Sequence, residues 1–157
     1  MQEYCSQLQL VIDNPNPRLQ VLLGIEDHIK EKQRNPNHYI IIMINANENM
    51  WKNGRSNLRE FIQSTGLVDA HNTSHPLLSP TPTFANGSNQ IDYCLVSPRL
   101  IPFIVKAGIL PLNFVVIGDH RTLFIDIAVE DILNGENHTM TEPTPRKLRL
   151  SNEKATN

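Results

Sequence analysis

With 157 residues, 39% of them apolar and 19% charged, the chain has material for one globular domain and not for several. A formal net charge of −2 excludes a strong overall basic field, so any nucleic-acid contact has to be local. No stretch approaches the roughly 18 consecutive apolar residues of a membrane-spanning helix, and the first residues lack the basic-then-apolar pattern of a secretion signal. The two cysteines, Cys5 and Cys94, make neither a disulfide framework nor a zinc pattern. These features point to an intracellular setting, nuclear or cytoplasmic, with no membrane partner. The N-x-S/T sequons at Asn72, Asn86 and Asn137 are expected to stay unglycosylated there.

Taken in chain order, Asn16-Pro17 reads as an N-cap followed by proline at the first helical position. Leu19, Leu22, Leu23, Glu26, Ile29 and Lys30 recur at helical spacing and predict a helix from about Pro17 to Lys32. After the break at Pro36-Asn37, the apolar, β-branched run Tyr39-Ile40-Ile41-Ile42-Met43-Ile44 predicts a strand buried on both faces. Asn57 as cap, Glu60 three residues on, apolar Leu58, Phe61 and Ile62, and Gly66 as stop predict a second helix. The polar, proline-broken stretch from Asp69 to Asn89 reads as a long surface loop, a length that commonly carries function. Gln90 to Val96 and Thr122 to Val129 read as strands, with a weaker one from Phe103 to Lys106.

After Val129 the apolar pattern fades, and the folded part is expected to end near Leu133. A polar tail or linker over 134–157 follows, because that composition cannot offset about 1–2 kcal/mol of backbone entropy per residue. Its basic residues Arg146, Lys147 and Arg149 read as a solvated cluster. The order of elements predicts a layered α/β or α+β domain over 15–133.

Three segments combine polar residues with strand ends: Asn45-Ala46-Asn47-Glu48, Ile91-Asp92-Tyr93 and Gly118-Asp119-His120-Arg121. A carboxylate beside an imidazole suits metal ligation or general acid–base work, because the one is a hard oxygen ligand and the other titrates near neutrality. In order and spacing the three resemble the second half of the endonuclease/exonuclease/phosphatase family, Mg2+-dependent phosphodiesterases that include pancreatic deoxyribonuclease. That family shows a G-D-F-N signature at a strand end, R-I-D-Y on a later strand, and S-D-H before the last. Here Ile44-Asn45-Ala46-Asn47, Gln90-Ile91-Asp92-Tyr93 and Gly118-Asp119-His120 stand in those places, within a similarity that runs from about Pro15 to Asp131. The flanks Asn14-Pro15-Asn16-Pro17-Arg18 and Arg121-Thr122-Leu123-Phe124 are similar to the endonuclease domains of non-LTR retrotransposons.

The resemblance implies the C-terminal half of a four-layer α/β/β/α sandwich, with nucleic acid (DNA) as substrate. It implies that His120 contacts the scissile phosphate, that Asp92 accepts a hydrogen bond from His120, and that Asp119 helps to hold Mg2+. Asn47 would point its amide at the phosphate or the attacking water, and Thr83-Phe84 matches a threonine–aromatic pair beside the substrate. Trp51, with Lys52 and Arg55 nearby, could stack on a base, or could cap the edge of the core.

Asn45 stands where the family has the aspartate that activates water, and an amide cannot accept that proton. Loss of a general base costs roughly 10²–10⁴ in rate. Gln90 for arginine and Gly118 for serine are milder departures. The family's first half should supply an asparagine and an acidic metal ligand, and only fourteen residues precede Pro15. The expectation is therefore an impaired site whose N-terminal half is a missing partner in cis, residues 1–14 being its remnant. Little more than one sheet, an exposed apolar face, and instability or self-association follow from that expectation. The alternatives are a non-catalytic module that binds nucleic acid or protein weakly, and a phosphodiesterase of a small ester or phosphoinositide. His71 and His75 have the i, i+4 spacing of a metal-binding helix, but Asn72-Thr73-Ser74 and Pro76 argue against a helix, and so against zinc, at that position.

Overall fold

The computed structural model describes residues 17–115 and 117–133. The sequence readings for residues 1–14 and for the tail after Asn134 lie outside them. Within the described part, α1 (Pro17–Gln33) is followed by β1 (Ile41–Asn45), α2 (Asn57–Thr65), β2 (Val68–Asp69) and the one-turn helix α3 (Ala70–Ser74). Then come β3 (Asp92–Val96), a 3-10 turn over Pro98–Phe103, β4 (Ile104–Ile109), β5 (Leu123–Ile127) and the short α4 (Val129–Ile132). Helices and antiparallel sheets in one unit make this an α+β fold. Among the described residues no helix is long and apolar enough to cross a membrane.

One antiparallel sheet has the strand order β1-β3-β2, and β4 pairs with β5 in a second. Because side chains alternate along a strand, β3 sends Tyr93 and Leu95 to one face and Asp92, Cys94 and Val96 to the other. The first face is covered by the helices: Leu22 and Ile29 of α1 and Leu58 and Phe61 of α2 form one core with Tyr93 and Leu95. The second is covered by the two-stranded sheet, where Leu123, Ile125 and Ile127 of β5 pack on the cluster of Cys94, Val96 and Ala107. Three layers result, helices over sheet over sheet, and the expectation of little more than one sheet is corrected by the second.

The face of α1 that enters the core is Leu22, Ile25 and Ile29, at i, i+3 and i+7, while Leu23 points outward. In α2 the cap is Ser56 and not Asn57: the Ser56 hydroxyl accepts the Arg59 N–H at 3.1 Å. Ser56 is extended and Asn57 is already helical, so the hydroxyl one residue earlier is the group that reaches the third helical N–H. Gly66 closes the helix at φ 67°, with its N–H returning to Ile62 O, a left-handed position that glycine adopts without a Cβ clash.

Two further expectations are corrected. β1 is not buried on both faces; Ile42 and Ile44 pack on the helical core, but Ile41 and Met43 are 43% and 57% exposed. The cause is position, since β1 pairs on one side only and the second sheet covers β3 and not β1. Nor is 69–89 all surface loop, for Asp69 lies in β2, α3 follows at once, and Thr83 is fully buried.

Candidate active site

The three polar segments come together where β1 ends and β3 begins. Asn45, last in β1, is the register partner of Asp92, first in β3, so both side chains leave the sheet on the face that meets β4 and β5. The ladder then closes with Ala46 N–H on Ile91 O at 2.9 Å. Asn45 Oδ1 accepts the Asn47 N–H at 3.1 Å, which turns the chain and leaves Asn47 at φ 49°, a conformation asparagine tolerates. Asn45 and Asn47 are both exposed.

His120 reaches the same place from the other side of the molecule. Its backbone bridges Phe84, and Ala85 N–H to Asp119 O (2.7 Å) and Arg121 N–H to Thr83 O (2.8 Å) lace 83–85 to 119–121. His120 Nδ1 then lies 2.8 Å from Asp92 Oδ2, with the histidine side chain 31% exposed and the aspartate 12%. A carboxylate only accepts, so Nδ1 carries the proton and Nε2 is left for another partner. The Phe84 ring lies against the imidazole, with centroids 5.1 Å apart.

Thr83 holds this arrangement from beneath. Its hydroxyl accepts the N–H groups of both Ile91 (3.0 Å) and Asp92 (3.1 Å), so Thr83 fastens the start of β3 to the segment that carries His120. The expectation that Thr83 binds substrate is corrected: a fully buried side chain with its oxygen engaged twice positions Asp92 instead. Trp51, read as a base-stacking or an edge-capping residue, is 41% exposed and lines a small pocket with Asn72, Leu78, Pro80 and Gln90.

Several contributors play parts that the sequence did not reveal. The Tyr93 hydroxyl, fully enclosed, accepts the Met50 N–H at 3.1 Å and donates to Gln90 O at 2.7 Å, and burial pushes its phenol up to about 12. Gln90 Nε2 donates to Asp69 Oδ2 and to Asp92 O, both at 3.3 Å, tying the site to β2. Burial raises the Asp69 carboxyl above its ordinary value, opposed by the His71 charge and the Gln90 hydrogen bond. Burial lowers the His71 imidazole, and its Nδ1 has no hydrogen-bond partner among the described residues. His71 and His75 do sit on and just after a helical turn, contrary to the sequence reading; the Asp69 carboxylate caps it by accepting the His71 N–H at 3.2 Å. His75 is engaged elsewhere, its Nε2 donating to Ala107 O at 2.9 Å. Cys94 is buried, and burial pushes its thiol up to about 11, out of the reactive range.

Among the described residues no group of three His, Cys, Asp or Glu side chains could hold a metal ion. Asp92 is committed to His120, which leaves the exposed Asp119 carboxylate as the acidic group adjoining the pair. One carboxylate is an incomplete protein share of a Mg2+ site, which usually adds water and substrate phosphate oxygens. No protein-family model and no curated protein matches this chain.

Proposed function

We propose that this chain carries the imidazole–carboxylate and amide part of a phosphodiester-hydrolysing site of the Mg2+-dependent endonuclease type, with nucleic acid as substrate. The 2.8 Å hydrogen bond between His120 and the buried Asp92 supports this reading most directly. A carboxylate on Nδ1 fixes the ring and leaves Nε2 to face a phosphate oxygen on which charge develops, donating to it when the ring is protonated. Asn47 adds a neutral donor at the adjoining turn. Asn45 cannot take a proton from water, so in this reading the chain by itself binds a phosphodiester without hydrolysing it.

Mg2+, when bound, would supply charge neutralisation at the phosphate; Asp119 is the residue here that would hold it. One carboxylate leaves that ligand set incomplete. The same reading assigns the three layers to part of a four-layer α/β/β/α sandwich.

Titration of the ¹⁵N-histidine-labelled chain with a dinucleoside monophosphate tests the reading. The His120 ring signals are expected to move, and His120→Ala and Asp92→Ala are each expected to weaken binding about tenfold or more. A His120 ring that ignores the phosphodiester overturns the proposal. In plasmid nicking with Mg2+, neither the native chain nor Asn45→Asp is expected to cut; cutting by either contradicts the assignment of a missing acidic ligand.

A further inference from the structure

A polar groove of about 300 Å3 runs between the turn after β1 and the segment before β3, lined by Asn47, Asn49, Lys52, Asn53, Asn89 and Ile91 among others. Ile91 immediately precedes Asp92 in the chain, and Asn47 lies two residues beyond Asn45, so the groove is lined by the same two segments that carry the site. Its wall is built in advance. The Arg59 guanidinium reaches up from α2 and donates to the carbonyls of Met50, Lys52 and Gly54. Tyr93 holds the Met50 N–H from below. Asn49 is used as a fastener: its Nδ2 donates to Asn89 Oδ1 at 2.8 Å and its Oδ1 accepts the Trp51 N–H at 2.9 Å. That leaves Asn89 Nδ2 and the side-chain amides of Asn47 and Asn53 with no hydrogen-bond partner among the described residues.

The charge on this wall is small. Arg55 is paired with Glu60 at 3.1 Å and Glu48 also lines the groove, so a polyanionic headgroup finds little to neutralise it. A primary amide instead offers a donor and an acceptor in one plane, which is the pattern that nucleobase edges complement. We propose that this groove takes a nucleobase of single-stranded nucleic acid, held by the amides of Asn53 and Asn89, with Lys52 contacting the backbone. The inference rests on the phosphodiester reading of the adjoining site, which it extends to a polymer read at a base and not a small ester.

The full chain is titrated by fluorescence anisotropy with a labelled single-stranded oligodeoxynucleotide of mixed sequence, and with an oligomer of equal length made only of abasic sugar–phosphate units. The base-bearing strand is expected to bind about tenfold more tightly. Asn53→Leu and Asn89→Leu should each remove most of that difference and leave the abasic affinity unchanged, whereas Lys52→Ala should weaken both strands alike. Should the leucine variants lose structure, the side-chain amide signals of Asn53 and Asn89 in the native chain serve instead; they should move with the base-bearing strand and stay still with the abasic one. Equal affinities, no binding of either strand, or tighter binding of inositol hexakisphosphate overturns the inference. Asn53 and Asn89 amides that respond to bases while the His120 ring stays still support the groove and refute the phosphodiester reading; the reverse pattern refutes the groove and leaves that reading standing.

Discussion

β1 and β3 lie side by side in one sheet, and the strand with the more apolar sequence is the less buried. β1, Ile-Ile-Met-Ile-Asn, alternates between exposed and half-covered residues, while β3, Asp-Tyr-Cys-Leu-Val, is buried at all five positions. β3 has a strand on each edge, helices on one face and β5 on the other; β1 has one neighbour and one covered face. Burial therefore follows from what surrounds a strand, and the polar start of β3 can be buried because Thr83, Gln90 and His120 satisfy it. The candidate site lies where these two environments meet, with the buried carboxylate supplied by β3 and the exposed amides by the end of β1 and the turn after it.

Truncation should separate the two strands most sharply. Leu95→Ala is expected to cost about 2–5 kcal/mol in urea unfolding, against about 0.5 kcal/mol for the exposed Met43→Ala. Similar losses at both positions would mean that β1 is covered as fully as β3. Smaller but still measurable, Thr83→Val leaves the Ile91 and Asp92 N–H groups without an acceptor and should cost about 1–3 kcal/mol, with Thr83→Ser restoring most of it. The His120 tautomer should follow the same order, with Nδ1–H favoured in the native chain and Thr83→Ser and disturbed in Thr83→Val, as read from ring ¹⁵N shifts. The exposed face of β1 is expected to promote self-association at high concentration. In sedimentation velocity, Ile41→Lys with Met43→Lys should raise the monomer fraction, and a native chain that stays monomeric throughout the concentration range removes this expectation.

The smallest effect concerns pH. Because burial lowers the His71 imidazole, the unfolded chain binds its proton first as pH falls below about 6.5, and stability declines until the folded-state value is passed. Asp69 works in the opposite direction: its raised carboxyl binds a proton in the folded state first, so stability declines as pH rises from about 3.8 through the raised value. Urea midpoints of His71→Leu should be flatter than those of the native chain from pH 6.5 downward, and an unchanged slope would assign the acid sensitivity to another group.

Much of this fold is legible in the residues. Pro17 and the recurrence of Leu19, Leu22, Leu23, Glu26, Ile29 and Lys30 place α1 within one residue of its observed end, and Gly66 stops α2 where the sequence puts the stop. Asp92 and His120 stand out as a carboxylate and an imidazole at strand ends, 28 residues apart in the chain, and the fold brings them into contact. What sequence reasoning misassigned shares one cause. The Thr83 hydroxyl looks available in a polar loop and is buried, and the β1 run looks like a core strand and borders solvent. Each depends on a partner distant in the sequence.

Local order was thus determined by the sequence itself. Caps, glycine stops and the two periodicities act over a few bonds, where the groups that satisfy each other are already neighbours. The pairing of β4 with β5, the coverage of β3 but not β1, and the closing of Asp92 on His120 were decided only by tertiary structure. Burial and hydrogen-bond satisfaction in the sheets are set by segments distant in the chain, as when Ser97 receives the Ile40 N–H from 57 residues away or Gln90 reaches Asp69 across 21.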